Sequence, residues 1–153
     1  YKYVLHHPGN LIPKWFLEAL GVHTSMLNKC SYCVEHHFAG LQRLLGDERR
    51  SEVMRRALES GTPADAFDAQ QVAALAYAGA LTLTPQDDAL LHEQLLAMRT
   101  AGLDDGRILE VNQVVAYFNY ANRTVLGLGV STQGDILGLS PNNSDNSDDW
   151  SHT

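Results

Sequence analysis

The chain has 153 residues, of which 44% are hydrophobic and 19% are charged. This length can bury a substantial core without disulfides or metals, and this composition is typical of a globular protein, which excludes the disordered and fibrous classes for most of the chain. The formal net charge of -7 repels phosphate backbones and anionic lipids, so we expect no nucleic-acid partner.

No apolar run approaches the roughly 18 residues that a membrane span requires, and we find no secretory signal in the sequence present. We therefore predict a cytoplasmic protein without a membrane partner. The first residue, Tyr1, is not a methionine, so this prediction does not extend to any preceding segment.

Apolar residues recur at the three-and-four spacing of an amphipathic helix from Asn10 to Leu27, which predicts the first helix. Pro13 falls where a first-turn proline is tolerated. We predict a second helix from an N-cap at Asn28 through Leu45, ended by Gly46.

Four more helices are predicted downstream, and no segment shows the sustained alternation of a strand. They are residues 48–60, Asp68 to Thr82, a helix capped at Thr84 that runs through Met98, and a long helix capped at Asp104 or Asp105 that ends before Gly127. The fold class is therefore predicted to be all-α.

The composition changes after Gly129, where serine, asparagine and aspartate become frequent. We predict a helical domain over residues 1–130 and a polar, acidic, flexible tail over residues 131–153. The alternative is that Trp150 holds the tail against a neighbouring subunit.

The two cysteines, Cys30 and Cys33, are the sharpest chemical signal. A bridge across two intervening residues closes too small a loop to stabilise a fold, so we interpret the pair as redox-active. A thiol near a helix N-terminus has its thiolate favoured by the helix dipole. His37 follows Cys33 by four positions, so on a helix the imidazole and the sulfur share a face and can exchange a proton.

Two alternatives compete with this interpretation. Cys33 can be a buried small hydrophobe with His36 and His37 on the surface, but a Cys-x-x-Cys pair with a histidine at helical spacing favours chemistry. A zinc site made of the two cysteines and these two histidines is disfavoured, because four ligands within eight residues of one helix do not easily form a tetrahedron. We therefore expect no metal and no cofactor.

Glu18 is the charged residue on the helix before the motif. A carboxylate on an apolar face either points to water, the usual case, or is kept with a raised pKa for proton handling. It lies about 18 Å from Cys30 if the helix runs unbroken, at about 1.5 Å per residue. Contact between the two therefore requires a turn near Asn28.

Taken together, Glu18, Asn28, Cys30, Cys33 and His37 resemble the Glu…Asn-x-Cys-x-x-Cys-x-x-x-His core of the alkylhydroperoxidase D and carboxymuconolactone decarboxylase superfamily. The cysteines place the resemblance on the peroxidase-like side, with the bacterial uncharacterised peroxidase-related proteins. The similarity covers most of residues 10–130. It is specific in this motif and softer elsewhere.

The resemblance implies an alkylhydroperoxidase D-like helical bundle that assembles as a homotrimer or hexamer. It also implies an antioxidant peroxidase, in which Cys33 attacks hydrogen peroxide or an organic hydroperoxide and Cys30 resolves the sulfenic acid to a disulfide. Glu18 and His37 would form a proton relay through a water. A dithiol donor, such as a lipoyl group or a thioredoxin-like protein, would reset the pair.

The chain departs from these enzymes at Tyr32, where a histidine can stand between the cysteines. This departure leaves the relay and the efficiency of peroxide reduction open. Two other functions also stay open: a disulfide reductase or redox adaptor with little peroxide turnover, and a redox-sensing or ligand-binding oligomer that uses the disulfide as a switch.

Several other residues are assigned structural roles. Trp15, Tyr117 and Phe118 are predicted to be core residues rather than substrate contacts. Arg123, near Asn119 on the last helix, is predicted to be buried with an acidic partner.

Overall fold

The computed structural model describes residues 2–138, which form seven α-helices and no strand. The helices are α1 (Lys2–Leu5), α2 (Lys14–Leu27), α3 (Ser31–Leu45), α4 (Glu48–Ser60), α5 (Ala69–Leu83), α6 (Asp88–Thr100) and α7 (Asp105–Leu128), with a 3-10 turn at Pro63–Asp65. The all-α prediction is confirmed. Among these helices, none combines the length and the apolarity that crossing a bilayer demands.

Aspartate side chains begin four of the helices. Each accepts a hydrogen bond from the backbone N–H three residues later, which satisfies an amide that has no partner within the helix. These N-caps are Asp47 for α4, Asp68 for α5, Asp87 for α6 and Asp104 for α7. The cap of α7 is thus one of the two predicted, whereas the prediction of Thr84 for α6 is wrong.

The first long helix begins at Lys14, not at Asn10 as predicted. Pro13 is extended, with a ψ of 132°, and precedes the helix. The amides of Leu11 and Ile12 donate instead to the Glu110 carboxylate on α7, at 2.8 and 2.9 Å. A tertiary hydrogen bond that local periodicity cannot reveal therefore replaces the predicted first turn.

The connection between α2 and α3 also differs from the prediction. Asn28 is the C-cap of α2 rather than the N-cap of α3. Lys29 adopts a left-handed conformation with a φ of 58°, and Cys30 is the residue from which α3 starts. The far end of α3 is as predicted, because Gly46 is left-handed with a φ of 63°.

Helix α2 lies in the centre of the fold, against α3, α5 and α7. Every residue from Phe16 to Val22 is buried, on all sides of the helix. A helix with this pattern is an interior helix rather than the amphipathic helix predicted from its spacing. Its one acidic residue, Glu18, is therefore carried into the core.

Residues 131–138 return across α3 after α7 ends. The Asp135 carboxylate lies 3.2 Å from His36, and the Arg43 guanidinium donates to the carbonyl of Gly138 at 2.5 Å. This first part of the predicted tail is thus attached to the helical domain. Residues 139–153, including Trp150, lie outside the described residues, so the tail prediction stays a prediction there.

Two helical glycines provide a test of the packing around α2. A Cβ at Gly21 would overlap the ring of Phe118, whereas a Cβ at Gly79 on α5 would meet nothing within 4 Å. We expect Gly21→Ala to lower the free energy of unfolding by about 1–3 kcal/mol through overpacking. We expect Gly79→Ala to raise it by about 0.5–1 kcal/mol, because alanine is the better helix former. Urea unfolding measures the change in free energy of unfolding for each variant. Equal changes in the two variants would contradict the packing of Phe118 on Gly21.

Candidate active site

The short α2–α3 connection places both cysteines at the start of α3. Cys30 is fully buried, its N–H donates to the carbonyl of Ser25 at 2.9 Å, and its own carbonyl accepts from Val34 at 3.0 Å. Cys33 lies in the first turn and keeps 5% of its surface exposed. Both are free thiols. The structure therefore shows a reduced pair in which Cys33 is the more accessible member.

Burial raises the pKa of the Cys33 thiol well above its ordinary value, and the neighbouring Cys30 adds to this effect through a hydrogen bond and its charge. The backbone amide at the start of the helix opposes the shift but is the weaker influence. The prediction of a thiolate favoured by the helix N-terminus is therefore wrong for Cys33. A base has to remove the proton before this sulfur can react.

Glu18 and His37 are in direct contact, which confirms that a turn near Asn28 brings their helices side by side. Glu18 is only 1% exposed, and its Oε2 lies 2.6 Å from His37 Nδ1. Burial alone would raise the pKa of this carboxyl, but His37 and then His6 outweigh burial and lower it to about 2. Both predicted alternatives, contact with water and a raised pKa, are wrong. Glu18 is a buried carboxylate that is ionised at neutral pH.

His6 is a member of the site that the sequence did not reveal. It follows α1, its side chain is 5% exposed, and its Nε2 lies 3.3 Å from the second carboxylate oxygen of Glu18. Nothing in the spacing of His6 relates it to the motif, because it precedes every predicted helix. Only the folding of the N-terminal segment onto α2 brings it there.

Two aromatic residues of α7 border the site. Phe118 is fully buried, as predicted, and its ring packs edge-on against His37 with centroids 4.5 Å apart. Tyr117 is half-buried, and its pKa is raised by burial and then by the charges of Cys33 and Glu18. The phenol is thus a protonated neighbour of the site, and not only the core residue predicted.

The doubled histidine splits into two different environments. His36 is buried, contrary to the surface position considered for it, and its Nε2 lies 3.2 Å from Asp135. Its ring also lies against that of Tyr32, with centroids 4.4 Å apart. Its neighbour His37 contacts Glu18 instead, so only one of the two belongs to the carboxylate site.

An amide network holds the turn that precedes Cys30. Asn28 donates to Asn119 Oδ1 at 3.0 Å, and Arg123 donates to the same oxygen at 2.9 Å. Asn119 in turn donates to Thr82 at 3.1 Å. Arg123 is exposed and bound to an amide, so the prediction of a buried arginine with an acidic partner is wrong.

Within residues 2–138 no group of three histidine, cysteine, aspartate or glutamate side chains has the arrangement of a metal site. The two imidazoles near Glu18 face its oxygens. What the arrangement can do is hold an ionised carboxylate in the core and orient an imidazole one helical turn from a cysteine pair.

No protein-family model and no curated protein matches the chain. Three similar solved structures come from bacteria. An uncharacterised peroxidase-related protein of Silicibacter is 25% identical with a TM-score of 0.73, and covers 86% of this chain and 65% of its own. A second, from Ralstonia eutropha and described as an alkylhydroperoxidase core, is 22% identical with a TM-score of 0.68, over 82% and 63%.

The third structure, from Agrobacterium tumefaciens, is a protein of unknown function suggested to act in antioxidant defence. It is 21% identical with a TM-score of 0.66, over 85% of this chain and 83% of its own. The chain thus spans about two thirds of the first two proteins, at 65% and 63%. These matches confirm, at the level of structure, the predicted resemblance to alkylhydroperoxidase D-like, peroxidase-related bacterial proteins.

From the burial of the Glu18 carboxylate we predict that its contribution to the free energy of unfolding depends on pH. We expect Glu18→Gln to lower the free energy of unfolding at about pH 7 by about 3 kcal/mol, because a buried ion pair loses one partner. The folded carboxyl has a pKa of about 2 against an ordinary 4.5, so its contribution is complete above about pH 4.5 and is lost as the pH falls toward 2. Urea unfolding of the variant and the wild type at decreasing pH measures the difference between their free energies of unfolding, which should become smaller as the pH falls.

The matched control is Glu93→Gln, at an exposed glutamate on α6. This variant should stay close to the wild type at every pH, because an exposed carboxyl has little interaction to lose. The difference in free energy of unfolding between Glu18→Gln and the wild type should shrink below about pH 4.5. A constant difference would show that the Glu18 carboxylate is not stabilised by its imidazole partners.

Proposed function

We propose that the protein is a cysteine-based antioxidant peroxidase that reduces hydrogen peroxide or an organic hydroperoxide through Cys30 and Cys33. The observation that carries the proposal is the contact of 2.6 Å between the buried Glu18 and His37, one helical turn from Cys33. A carboxylate that orients an imidazole next to a cysteine is the arrangement that activates a thiol nucleophile. The structural matches to peroxidase-related proteins support the same reading.

Cys33 is the attacking residue in this proposal. It keeps 5% of its surface exposed, whereas Cys30 is fully enclosed. Since its thiol holds its proton, a base has to accept that proton. When Glu18 accepts a hydrogen bond from the Nδ1–H of His37, Nε2 is the ring nitrogen that can receive the thiol proton, directly or through a water.

The chemistry then runs in three steps. The Cys33 thiolate attacks the outer peroxide oxygen, the O–O bond breaks, and the leaving alkoxide or hydroxide takes the proton from His37, so an alcohol or water is released. The Cys30 thiol attacks the Cys33 sulfenic acid, forming the disulfide and water. A dithiol donor then supplies two electrons and two protons to the disulfide and becomes a disulfide itself.

The proposal includes partners that the resemblance implies. The dithiol donor would be a lipoyl group or a thioredoxin-like protein, and the subunits would assemble as a homotrimer or hexamer. The electrons of this cycle come from thiols, so the proposed cycle uses no cofactor bound to this chain.

A disulfide reductase or redox adaptor is the second candidate, and the raised pKa of Cys33 favours it. A thiol that keeps its proton is a poor nucleophile toward peroxide at neutral pH. A buried disulfide can still exchange with a dithiol partner whose own thiolate makes the attack.

Serine variants of the two cysteines test the proposal. We expect the wild type to consume peroxide repeatedly with a dithiol donor. Cys33→Ser should fall to background, because the nucleophile is gone, and Cys30→Ser should lose turnover but accumulate a sulfenic acid at Cys33, because nothing resolves it. A dimedone-type trap followed by mass spectrometry identifies the modified residue.

Ser31→Ala is the matched control, because Ser31 is an exposed residue between the two cysteines. It should retain turnover. A wild type that cycles its disulfide with a dithiol but consumes no peroxide would overturn the peroxidase in favour of the redox adaptor. A sulfenic acid trapped at Cys30 in the Cys33→Ser variant would reverse the assigned roles.

A further inference from the structure

Among residues 2–138, the Glu18 carboxylate has two imidazole neighbours, one for each oxygen. Oε2 lies 2.6 Å from His37 Nδ1, and Oε1 lies 3.3 Å from His6 Nε2. The side chains of His6, Glu18 and His37 are 5%, 1% and 18% exposed. The arrangement is therefore a buried imidazole–carboxylate–imidazole array, of which the proposed peroxidase cycle uses only one imidazole.

His6 is held in place by the structure of the N-terminal segment. Leu5, the residue before it, is fully buried in the core. On the other side, the Asn10 side chain donates to the Val4 carbonyl at 2.8 Å, and Glu110 on α7 accepts from the amides of Leu11 and Ile12. Contacts on both sides thus fix the approach of His6 to Glu18.

Charge explains why a second imidazole matters at this place. Ionisable groups of the described residues reach this site from three directions: His37 and Cys33 on α3, Tyr117 on α7, and His6 before α2. Tyr117 and Cys33 are neutral when protonated, so of these four described groups the two imidazoles are the ones that can balance the carboxylate. A positive charge on His6 offsets part of the carboxylate charge, which would otherwise oppose the loss of the Cys33 proton.

We propose that His6 is a positioning residue of the redox site, which shares the Glu18 carboxylate with His37 and, by offsetting its negative charge, favours the loss of the Cys33 proton. The inference rests on the proposed function for its peroxide step. The deprotonation of Cys33 that it describes is needed in any thiol chemistry of this pair.

His6→Gln separates a charge role from a purely structural one. The glutamine amide can still donate a hydrogen bond to Glu18, but it cannot hold a proton. The variant therefore loses a positive charge that favours the Cys33 thiolate, and we expect alkylation of Cys33 by iodoacetamide to become about three- to tenfold slower near pH 6 and to return to the wild-type rate near pH 9, where an imidazole is neutral. Mass spectrometry of quenched samples gives the rate at Cys33 without any peroxide.

His7→Asn is the matched control. His7 is the exposed neighbour of His6, and its Nδ1 accepts from the N–H of Gly9, an interaction that an asparagine oxygen can replace. Its alkylation profile should coincide with that of the wild type. If the profile of His6→Gln also coincides with the wild type, His6 has a structural role only and the proposal is overturned.

The same profiles keep this inference separate from the peroxidase assignment. If the wild type consumes no peroxide but His6→Gln still shifts the alkylation profile, the peroxidase fails and the role of His6 stands. If the wild type consumes peroxide repeatedly but His6→Gln does not shift the alkylation profile, the peroxidase assignment stands and the role of His6 fails.

A second measurement covers the case in which His6→Gln does not fold. In His37→Gln, the carboxyl carbon resonance of Glu18 should still report an ionised group at about pH 5, because His6 remains to balance it. A resonance that shows a protonated carboxyl at that pH would mean that His6 does not share the charge, since burial alone raises the pKa of Glu18.

Discussion

The ionised carboxylate of Glu18, which the central helix α2 carries into the core, is the constraint on which the rest of the site depends. Taking a carboxylate out of water costs several kcal/mol, and only close partners offset that cost. Those partners come from two other parts of the chain: His37 from α3, at 2.6 Å, and His6 from the N-terminal segment, at 3.3 Å. The docking of α3 and of this segment onto α2 is thereby held to the one register in which the carboxylate is balanced.

The same docking places the redox pair. The turn from α2 into α3 is only three residues long, with Lys29 left-handed and Asn28 tied to Asn119 on α7. Cys30 ends this turn and Cys33 lies in the first turn of α3, so both cysteines are buried within two helical turns of His37. A buried thiol keeps its proton, so the site combines a protected cysteine pair with the base that its chemistry requires.

Much of the fold and of the site could be predicted from local sequence, and the failures have a common cause. The helix at Glu48–Ser60 and the left-handed stop at Gly46 follow from caps and glycine, which act over a few residues. The start of α2 was misplaced because its neighbouring amides bind Glu110, almost a hundred positions away in the chain. His6 was missed for the same reason, and the charge state of Glu18 was misjudged because spacing does not show that a helix is surrounded on all sides.

The sequence by itself determined the helical class, the cysteine pair, and a glutamate and a histidine suited to serve it. These conclusions depend on residue type and on spacing along one helix, which a linear chain displays directly. Only the tertiary structure decided that Glu18 is ionised, that the Cys33 thiol holds its proton and that His6 joins the array. Protonation depends on burial and on the nearest charges in space, and both are set by how the helices pack against one another.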